Sequence, residues 1–325
     1  MRETYSVLDV FSGAGGFSRG FSEEGFRILA GIDNFPPAAK TYKLNFPDTV
    51  VVADDVKEVS ATLLRQLAGI QRGEIDVVIA SPPCEPFTGA NPEREDDPLD
   101  RLYRDPRGVL LLHAIRLIAE FKPRVFVIEN VPGILEPPIK RSIKLELSKA
   151  GYDRVFFNVL KAEQYRVPST RTRVFVSNIP VNPKPSGRVS VAEALEGMPP
   201  PGSLELPNHE EPPQLPKRHQ RRVSRLRWGD SLITYRGAGG RRLPNYIRLD
   251  PRRPAPTIMG TSRLIHPIED RLLTVREQAR LMGFPDYHLF LGSRDSQYEM
   301  VGEAVPPPLA QAIASVVKSR LGDGI

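Results

Sequence analysis

Cys84, the single cysteine of the 325-residue chain, lies in a stretch whose residue types suit covalent chemistry. The preceding run 77–80 has the length and β-branched composition of a buried parallel strand. Two prolines then stiffen the backbone, and a loop rich in Gly, Pro and acidic residues follows. We therefore expect Cys84 just beyond the carboxyl end of a strand, where open α/β sheets bind ligands. A free cysteine is more often a small buried hydrophobe, but these flanks favour a partly exposed nucleophile.

Three earlier strands end in residues that could hold a nucleoside. The first, 6–11, runs into a glycine turn at 12–16 and then a helix, an arrangement that brings backbone close to a ligand. The second ends at Asp33, about 20 residues after the turn, where a carboxylate can bind ribose hydroxyls. The third, 50–53, is followed by Asp54 and Asp55, and an acid there could reach an adenine amino group. Each acid alone could be a helix cap or a turn residue, but three strand ends together favour a nucleoside pocket.

Glu129 ends a fifth strand, 124–129, and adjacent parallel strands end on the same side of a sheet. Glu129 and Cys84 should therefore line one crevice together with the glycine turn. Further along, Arg171 and Arg173 stand at alternate positions, which lie on one face of an extended segment. They could equally be the charged decoration of an edge strand.

Composition and charge limit the class of protein. Hydrophobic residues make up 40% of the chain, as in soluble globular proteins. One cysteine excludes an intramolecular disulfide and a multi-cysteine zinc site, and it suits a reducing cytoplasm. The five histidines show no metal-ligand spacing, so we predict no metal site. No apolar run is long enough for a bilayer and no signal peptide is apparent, so we predict a cytoplasmic protein without membrane contact.

The net charge of +6 is concentrated in one segment. Prolines cluster from about residue 182 to 264 and apolar periodicity fades, while arginines accumulate close to Trp228, Tyr235 and a glycine loop at 237–240. Basic residues with interleaved aromatics suggest a nucleic-acid surface, with phosphate contacts giving affinity and loop side chains reading bases. A solvated, weakly ordered insertion is the alternative.

Six short motifs together resemble those of the DNA cytosine-5 methyltransferase family, over residues 8 to about 314. In chain order they are Asp9–Gly16, Pro83-Cys84, Glu129–Val131, Arg171–Arg173, Arg276-Glu277 with Gly283–Pro285, and Gly302–Val305. The resemblance implies an α/β, Rossmann-like S-adenosylmethionine-dependent methyltransferase fold: a mixed, mostly parallel sheet with helices on both faces, and a smaller, irregular target-recognition domain. The implied domains are catalytic (1–182), target-recognition (183–265) and a return to the catalytic domain (266–325), whose terminal helix packs beside the cofactor site.

The resemblance also implies S-adenosyl-L-methionine as the methyl donor and S-adenosyl-L-homocysteine as the product. Phe11 would stack near the cofactor adenine, and Gly13 and Gly15 would give the close turn. Asp33 would hold the ribose hydroxyls, Asp55 the adenine amino group, and Pro83 would line the same pocket. Glu303 and Ala304 would lie near the methionine end of the cofactor. Cys84 would add to carbon 6 of cytosine so that carbon 5 can attack the methyl group. Glu129 would donate or share a proton at ring nitrogen 3, and Arg173 would hold the cytosine carbonyl.

A thiolate needs a positive neighbourhood, and Arg171 or Arg173 together with the cofactor sulfonium could supply it. The target cytosine must be flipped out of a duplex, and the loop 85–107 would close over it as a mobile lid. The implied partner is double-stranded DNA carrying a specific short sequence, bound by a monomer, and a cognate restriction endonuclease would act separately. The predicted DNA contacts are Glu85, Arg221, Arg222, Arg225, Arg241, Arg242 and Thr257.

Three residues depart from the family pattern. Glu85 and Ser169 stand where glutamine is usual, and Glu303 stands where asparagine is usual. They leave every reacting group in place and bear instead on base flipping and cofactor affinity. A tRNA cytosine-5 methyltransferase on the same fold is an alternative, disfavoured by the long arginine-rich segment. A non-catalytic DNA-binding protein is another, but it would not need Cys84 and Glu129. A nicotinamide oxidoreductase is disfavoured by Ser18, where the dinucleotide fingerprint has glycine.

Overall fold

A mixed seven-stranded sheet forms the centre of the molecule, in a computed structural model that describes residues 4–71 and 73–324. Its strands are β1 (Ser6–Val10), β2 (Arg27–Ile32), β3 (Val50–Val52), β4 (Val77–Ala80), β5 (Val125–Asn130), β6 (Phe156–Lys161) and β7 (Thr172–Ser177). They lie in the order β3-β2-β1-β4-β5-β7-β6. The first five are parallel, and β7 is antiparallel to both of its neighbours. The predicted mixed, mostly parallel sheet is therefore confirmed.

The strand order reverses between β1 and β4. The chain builds β2 and β3 on one side of β1, then returns to place β4 on the other side. The two strand ends stay close, since the backbone N–H of Ser81 donates to the carbonyl of Val10 at 3.1 Å. Crevices at such switch points are where open α/β sheets bind ligands. The glycine turn after β1 and the Pro-Cys turn after β4 both leave from this point.

Helices cover both faces of the sheet. One face packs on α3 (Ala61–Ala68), α5 (Val109–Phe121) and α6 (Pro137–Lys149), and the other on α1 (Gly16–Glu23), α2 (Pro36–Asn45) and α11 (Pro307–Gly322). The contact of α1 with α11 is too close for a side chain at Gly20, where an added Cβ would lie 2.4 Å from the backbone nitrogen of Gln311. The terminal helix is thereby held directly behind the glycine turn.

Local signals place several element ends as the sequence predicts. The strand 77–80 has the predicted bounds. Helix α9 (Val275–Leu281) begins with a capping box between Thr274 and Glu277. Strand β1 ends one residue earlier than predicted, because Phe11 adopts a left-handed φ of 61° that a strand does not accept.

The segment 183–265 is more regular than predicted. It contains α7 (Val191–Leu195), α8 (Lys217–Val223) and a hairpin of β8 (Ser231–Arg236) and β9 (Arg242–Ile247). Leu215, Val223 and Leu232 form a small core with Ile265 and Leu272, which lie at or beyond the predicted boundary at 265.

Another cluster joins this segment to the carboxyl-terminal part of the chain. It combines residues such as Leu249 and Ile258 with Leu273, α9 and α10 (Arg294–Glu303). Apolar packing is therefore continuous across residue 265, and the division into three domains stays a prediction. Among the described residues, none of the helices has the length and apolar character needed to cross a membrane.

Candidate active site at the switch point of the sheet

The glycine turn after β1 is held in a conformation that opens space above it. Phe11, Gly13 and Gly15 all have positive φ, at 61°, 52° and 90°. A Cβ at Gly13 would meet no atom within 4 Å, whereas one at Gly15 would lie 2.4 Å from the Phe46 ring. Gly15 is therefore required by packing as well as by backbone conformation, and Gly13 borders open space.

Asp33, at the end of β2, is tied directly to this turn. Its carboxylate accepts the backbone N–H of Gly13 at 2.8 Å and that of Phe35 at 2.9 Å. Burial raises the pKa of Asp33, and these two hydrogen bonds oppose that shift. Asp55, after β3, is half-buried and lies 3.6 Å from the ammonium group of Lys57. The structure thus places both predicted acids at consecutive strand ends on the glycine-turn side of the crevice.

A buried polar network beneath the turn was missed from the sequence. Ser18 donates a 2.6 Å hydrogen bond to the Asp9 carboxylate and lies 2.6 Å from the Tyr42 hydroxyl. Burial raises the pKa of Asp9 to about 7, since its other oxygen is buried without a partner among the described residues. Ser18 therefore has a partner that glycine could not bind. The available signal was an acid inside an apolar strand followed by a serine on the helix face that packs against it.

Cys84 lies at the start of a tight turn after β4. Its carbonyl accepts the backbone N–H groups of Phe87 at 2.9 Å and Thr88 at 3.0 Å, and the Phe87 ring is buried. Cys84 is partly buried, so it is neither a fully buried core residue nor a fully exposed one. This geometry holds the thiol at the carboxyl edge of the sheet, one strand from the glycine turn.

The electrostatic environment of the thiol differs from the sequence expectation. Burial raises the pKa of Cys84 to about 11, and the charges of Glu85 and Glu129 add to this shift. Arg173 and, more weakly, Arg171 act in the opposite direction without overcoming it. In the protein alone the group is therefore a thiol at neutral pH, and the two arginines are not sufficient to hold a thiolate.

Glu129 and Arg173 form an ion pair beside Cys84. The Nε atom of Arg173 lies 2.9 Å from Oε1 of Glu129, and both side chains are largely buried. The angle is poor for a hydrogen bond, so Oε1 is a buried acceptor without a well-directed donor among the described residues. Since β7 runs antiparallel to β5, its beginning meets the end of β5 and brings Arg173 to this edge. β7 also lies between β5 and β6, which rules out the edge-strand alternative for the paired arginines.

Arg171 is buried and occupied by backbone carbonyls. Its guanidinium donates to the carbonyls of Ile258 and Gly302, both at 2.9 Å, and to that of Glu303 at 3.4 Å. Burial and the neighbouring Arg173 lower the pKa of Arg171. Its contacts join the end of the basic segment to the last turn of α10, and its predicted catalytic role stays a prediction.

Asn130 supports the same edge and was given no role from the sequence. Its amide donates to the carbonyl of Pro82 at 3.2 Å and its side-chain oxygen accepts the backbone N–H of Val131 at 2.9 Å. Pro83, which is half-buried, follows directly between this contact and Cys84. Asn130 thus links the end of β5 to the Pro-Cys turn after β4.

The loop 85–107, predicted as a mobile lid, is anchored in its second half. Asp97 caps a short helix, α4 (Pro98–Tyr103), whose Arg101 is buried. Arg101 donates to the two oxygens of Glu136 at 2.8 and 3.0 Å and to the carbonyl of Asp96 at 2.7 Å. Nearer to Cys84, the carbonyl of Gly89 accepts the backbone N–H of Ala238 at 3.0 Å. The loop therefore contacts the basic segment at the turn between β8 and β9.

The predicted DNA contacts of the basic segment are exposed but do not form one cluster. Arg221, Arg222 and Arg225 lie on or just after α8, and Arg241 and Arg242 lie at the tip of the hairpin. Thr257 is also exposed, and its hydroxyl donates to the carbonyl of Thr170 at 2.6 Å. The hairpin tip is the part that meets the loop after Cys84.

Of the three departures from the family pattern, Ser169 lies in an apolar contact, whereas Glu85 and the turn at 303–304 lie at the crevice. Ser169 is buried and packs against Met282, with 3.8 Å between Oγ and Sδ. The Oε2 atom of Glu85 is buried with no hydrogen-bond partner among the described residues. Ala304 contacts the glycine turn, since a Cβ at Gly16 would lie 3.1 Å from that of Ala304. The turn at 303–304 therefore lies between the glycine turn and Arg171.

The polar groups that line this crevice fit a nucleoside-type cofactor with a cationic centre. On the glycine-turn side, the space at Gly13 is bordered by the Asp33 carboxylate and by the hydroxyl of Ser12, which is buried without a partner in the described part of the chain. On the Cys84 side, Glu85 has a buried oxygen that lacks a hydrogen-bond partner among the same residues. Buried acceptors without donors are costly unless a ligand satisfies them.

Comparisons with known proteins agree with this geometry. The family model described as C-5 cytosine-specific DNA methylase matches residues 5–185 and 216–319. A Methanocaldococcus jannaschii protein provisionally named type II methyltransferase M.MJ0563P is 46% identical over 97% of this chain and 100% of its own length. The type II methyltransferase M1.HphI of Haemophilus parahaemolyticus is 34% identical over 96% of this chain and 86% of its own length.

A solved structure from an Escherichia coli prophage, provisionally described as a DNA modification methyltransferase, has a similar fold. It superposes with a TM-score of 0.78 at 25% identity, covering 98% of this chain and 99% of the other. Since the family model spans most of the sequence, the chain belongs to the C-5 cytosine-specific DNA methylase family. It is a DNA (cytosine-5-)-methyltransferase.

Proposed function

We propose that this enzyme methylates a cytosine flipped out of a specific short duplex sequence, through a covalent bond between Cys84 and carbon 6 of the base. The observation that carries the proposal is the meeting of Cys84, Glu129 and Arg173 at one edge of the sheet. S-adenosyl-L-methionine, when bound, would supply the electrophilic methyl group, with S-adenosyl-L-homocysteine as the product. Asp33, Asp55 and the turn at 11–15 would hold its nucleoside, and 303–304 its methionine end.

The side chains divide the reaction between them. Cys84 forms a bond from Sγ to carbon 6, which turns carbon 5 into a nucleophile towards the methyl group. Glu129 lies where it can share a proton with ring nitrogen 3 as charge develops there, and Arg173 can turn from Glu129 to the cytosine carbonyl. After methyl transfer, a water removes the carbon 5 proton, the bond between Sγ and carbon 6 breaks, and Cys84 leaves as a thiolate that regains a proton from solvent.

Activation of Cys84 is coupled to assembly of the complex. A pKa of about 11 keeps the thiol protonated in the protein alone. A further positive charge beside Cys84 would lower this pKa for the same reason that Arg173 does. The nucleophile therefore forms only when the cationic donor is in place, which protects the single cysteine from wasteful reaction.

The relatives suggest the biological setting. Two of them carry the name type II methyltransferase. We infer that this enzyme modifies double-stranded DNA within a type II restriction-modification system, acting as a monomer separate from its nuclease. The exposed arginines of the segment 183–265 would provide the phosphate contacts.

The test has two stages. Bisulfite sequencing of DNA from a methylation-free host expressing the protein identifies the modified sequence. A duplex carrying that sequence with 5-fluorocytosine at the target should then form an adduct that survives denaturing electrophoresis, because the fluorine prevents the elimination step. Cys84→Ala should form no adduct and yet retain DNA binding, and a tRNA transcript serves as the control substrate. An adduct with Cys84→Ala, or full turnover by that variant, would contradict the proposal.

A further inference from the structure

Glu85 and Glu303, two of the departures from the family pattern, face the same crevice. The charge of Glu85 acts on Glu303 more strongly than those of Glu299, Arg171 and Asp33, which also face it. Oε1 of Glu303 lies against Gly260, where an added Cβ would be 3.2 Å away. Two carboxylates therefore stand where glutamine and asparagine, both neutral, are usual in the family.

Neither carboxylate is fully neutralised by the protein. The Oε2 atom of Glu85 is buried without a hydrogen-bond partner among the described residues. Glu303 is exposed by its surface area as a residue, yet desolvation of its carboxyl and the charge of Glu85 raise its pKa to about 7. Two like charges in one crevice are unfavourable, and a cation placed between them would relieve that repulsion.

Their position matches the place of the reacting sulfur in the proposed mechanism. Glu85 follows the nucleophile directly and its charge raises the pKa of Cys84. Glu303 precedes Ala304, which packs on the glycine turn at Gly16. A methyl donor held by that turn would present its sulfur to Cys84, and the charges of Glu85 and Asp33, on the two sides of the crevice, both act on Glu303.

We propose that Glu85 and Glu303 make the site selective for the positively charged methyl donor over its neutral thioether product. This inference rests on the proposed function and extends it. Loss of the methyl group also removes the sulfonium charge, so both carboxylates interact more weakly with S-adenosyl-L-homocysteine. The enzyme would then release its product readily instead of being held by it.

Calorimetric binding of three ligands tests this without turnover. S-adenosyl-L-methionine has a permanent sulfonium charge, sinefungin carries a protonated amine in its place, and S-adenosyl-L-homocysteine has neither. The α-ammonium and carboxylate are common to all three, so the ratio of affinities isolates the charge at sulfur. Each of Glu85→Gln and Glu303→Gln should lower the preference for the cationic ligands about tenfold, as expected for one neighbouring charge at a partly buried site. Glu205→Gln, an exposed carboxylate of the segment 183–265 that is not among the charges facing Glu303, should change the ratio less than twofold.

A pH series on the wild-type protein tests the same idea without any variant. Glu303, with a pKa of about 7, is mostly neutral at pH 6 and mostly ionised at pH 8. The preference for S-adenosyl-L-methionine over the product should therefore rise across this range, and the rise should be absent in Glu303→Gln. Unchanged ratios in both Gln variants, with all ligands bound, would overturn the inference alone. Failure of the wild-type protein to bind any of the three would contradict the proposed function itself.

Discussion

The carboxyl edge of the sheet and the segment 183–265 use charged residues in opposite ways. At the edge, Glu129 and Arg171 are buried and Arg173 is largely so, and each is oriented by a partner on another element. In the segment, arginines such as Arg221 and Arg241 are exposed and have freedom to rearrange. The edge is therefore built before any ligand arrives, whereas the contacts of the segment take shape on DNA.

Arg248 shows that the segment can also hold an arginine rigidly. Its buried guanidinium donates to the carbonyl of Val223 at 2.9 Å and pairs with Asp270. This pair supports the small core on which α8 and the hairpin pack. The two kinds of arginine therefore differ in role: buried ones such as Arg171 and Arg248 hold backbone carbonyls, whereas the exposed ones are those that we expect to contact DNA phosphates. Variants in the edge should impair chemistry, and variants in the segment should impair binding.

The largest effect should come from Glu129→Gln. Glutamine keeps the shape but cannot share a proton with the base, so kcat should fall by about 10²- to 10⁴-fold, with DNA affinity changed less than twofold. Single-turnover methylation and a filter-binding titration measure the two quantities. Glu136→Gln is the matched control, because it also removes the carboxylate partner of a buried arginine, Arg101. An equal loss in both variants would mean that Glu129 only supports Arg173.

The next largest effect concerns the reactivity of the Cys84 thiol in the free protein. With a pKa of about 11, Cys84 in the free protein is mostly thiol at neutral pH. Its rate of alkylation by iodoacetamide should rise about tenfold per pH unit from about pH 7 to pH 10 without a plateau, because the thiolate fraction does so. Mass spectrometry reports it without ambiguity, since the chain has a single cysteine.

The chain unfolded in urea is the reference for that measurement. Its thiol should approach a plateau above about pH 8.5 and react roughly 10²-fold faster than the folded protein at neutral pH. A plateau near the same pH in the folded protein would show that the edge does not raise the pKa of Cys84.

The sequence predicts the edge better than it predicts the segment, for physical reasons. Strand ends follow from local apolar patterns, so the positions of Asp33, Cys84 and Glu129 could be inferred before any fold was known. The partners of Arg171 could not, because the carbonyl of Gly302 lies 131 residues away along the chain. The anchoring of the lid by Arg101 on Glu136 depends on tertiary packing in the same way. The hairpin was missed because Pro244 lies within β9, and proline is depleted in strands.

A third prediction concerns the exposed arginines at the tip of the hairpin. The double variant Arg241→Ala/Arg242→Ala should weaken duplex binding about tenfold and lower the salt dependence of log Kd by about 2, because two phosphate contacts are lost. The rate of methyl transfer in the saturated complex should stay within about threefold of wild type. Arg141→Ala/Lys144→Ala, which removes two exposed charges on α6, is the charge-matched control. An unchanged salt slope in the first variant would remove the hairpin tip from the phosphate contacts.

The smallest effect should arise where the two regions touch. The Ala238 N–H donates to the Gly89 carbonyl at 3.0 Å, and a Cβ at Gly237 would lie 2.8 Å from that carbonyl oxygen. Gly237 has an ordinary negative φ, so alanine there is excluded by the contact and not by backbone conformation. Gly237→Ala should separate the hairpin from the loop after Cys84 and lower kcat by a few-fold, with the DNA affinity nearly unchanged.

Gly89→Ala is the internal control for this contact. A Cβ at Gly89 would meet no atom within 4 Å, and its φ is not in the left-handed range, so this variant should behave as wild type. The two variants add the same methyl group on opposite sides of one hydrogen bond, and only one of them disturbs it. If Gly237→Ala keeps full kcat, the loop closes independently of the hairpin, and chemistry and recognition are separate. If kcat falls as expected, this contact couples DNA binding by the segment 183–265 to the chemistry at Cys84.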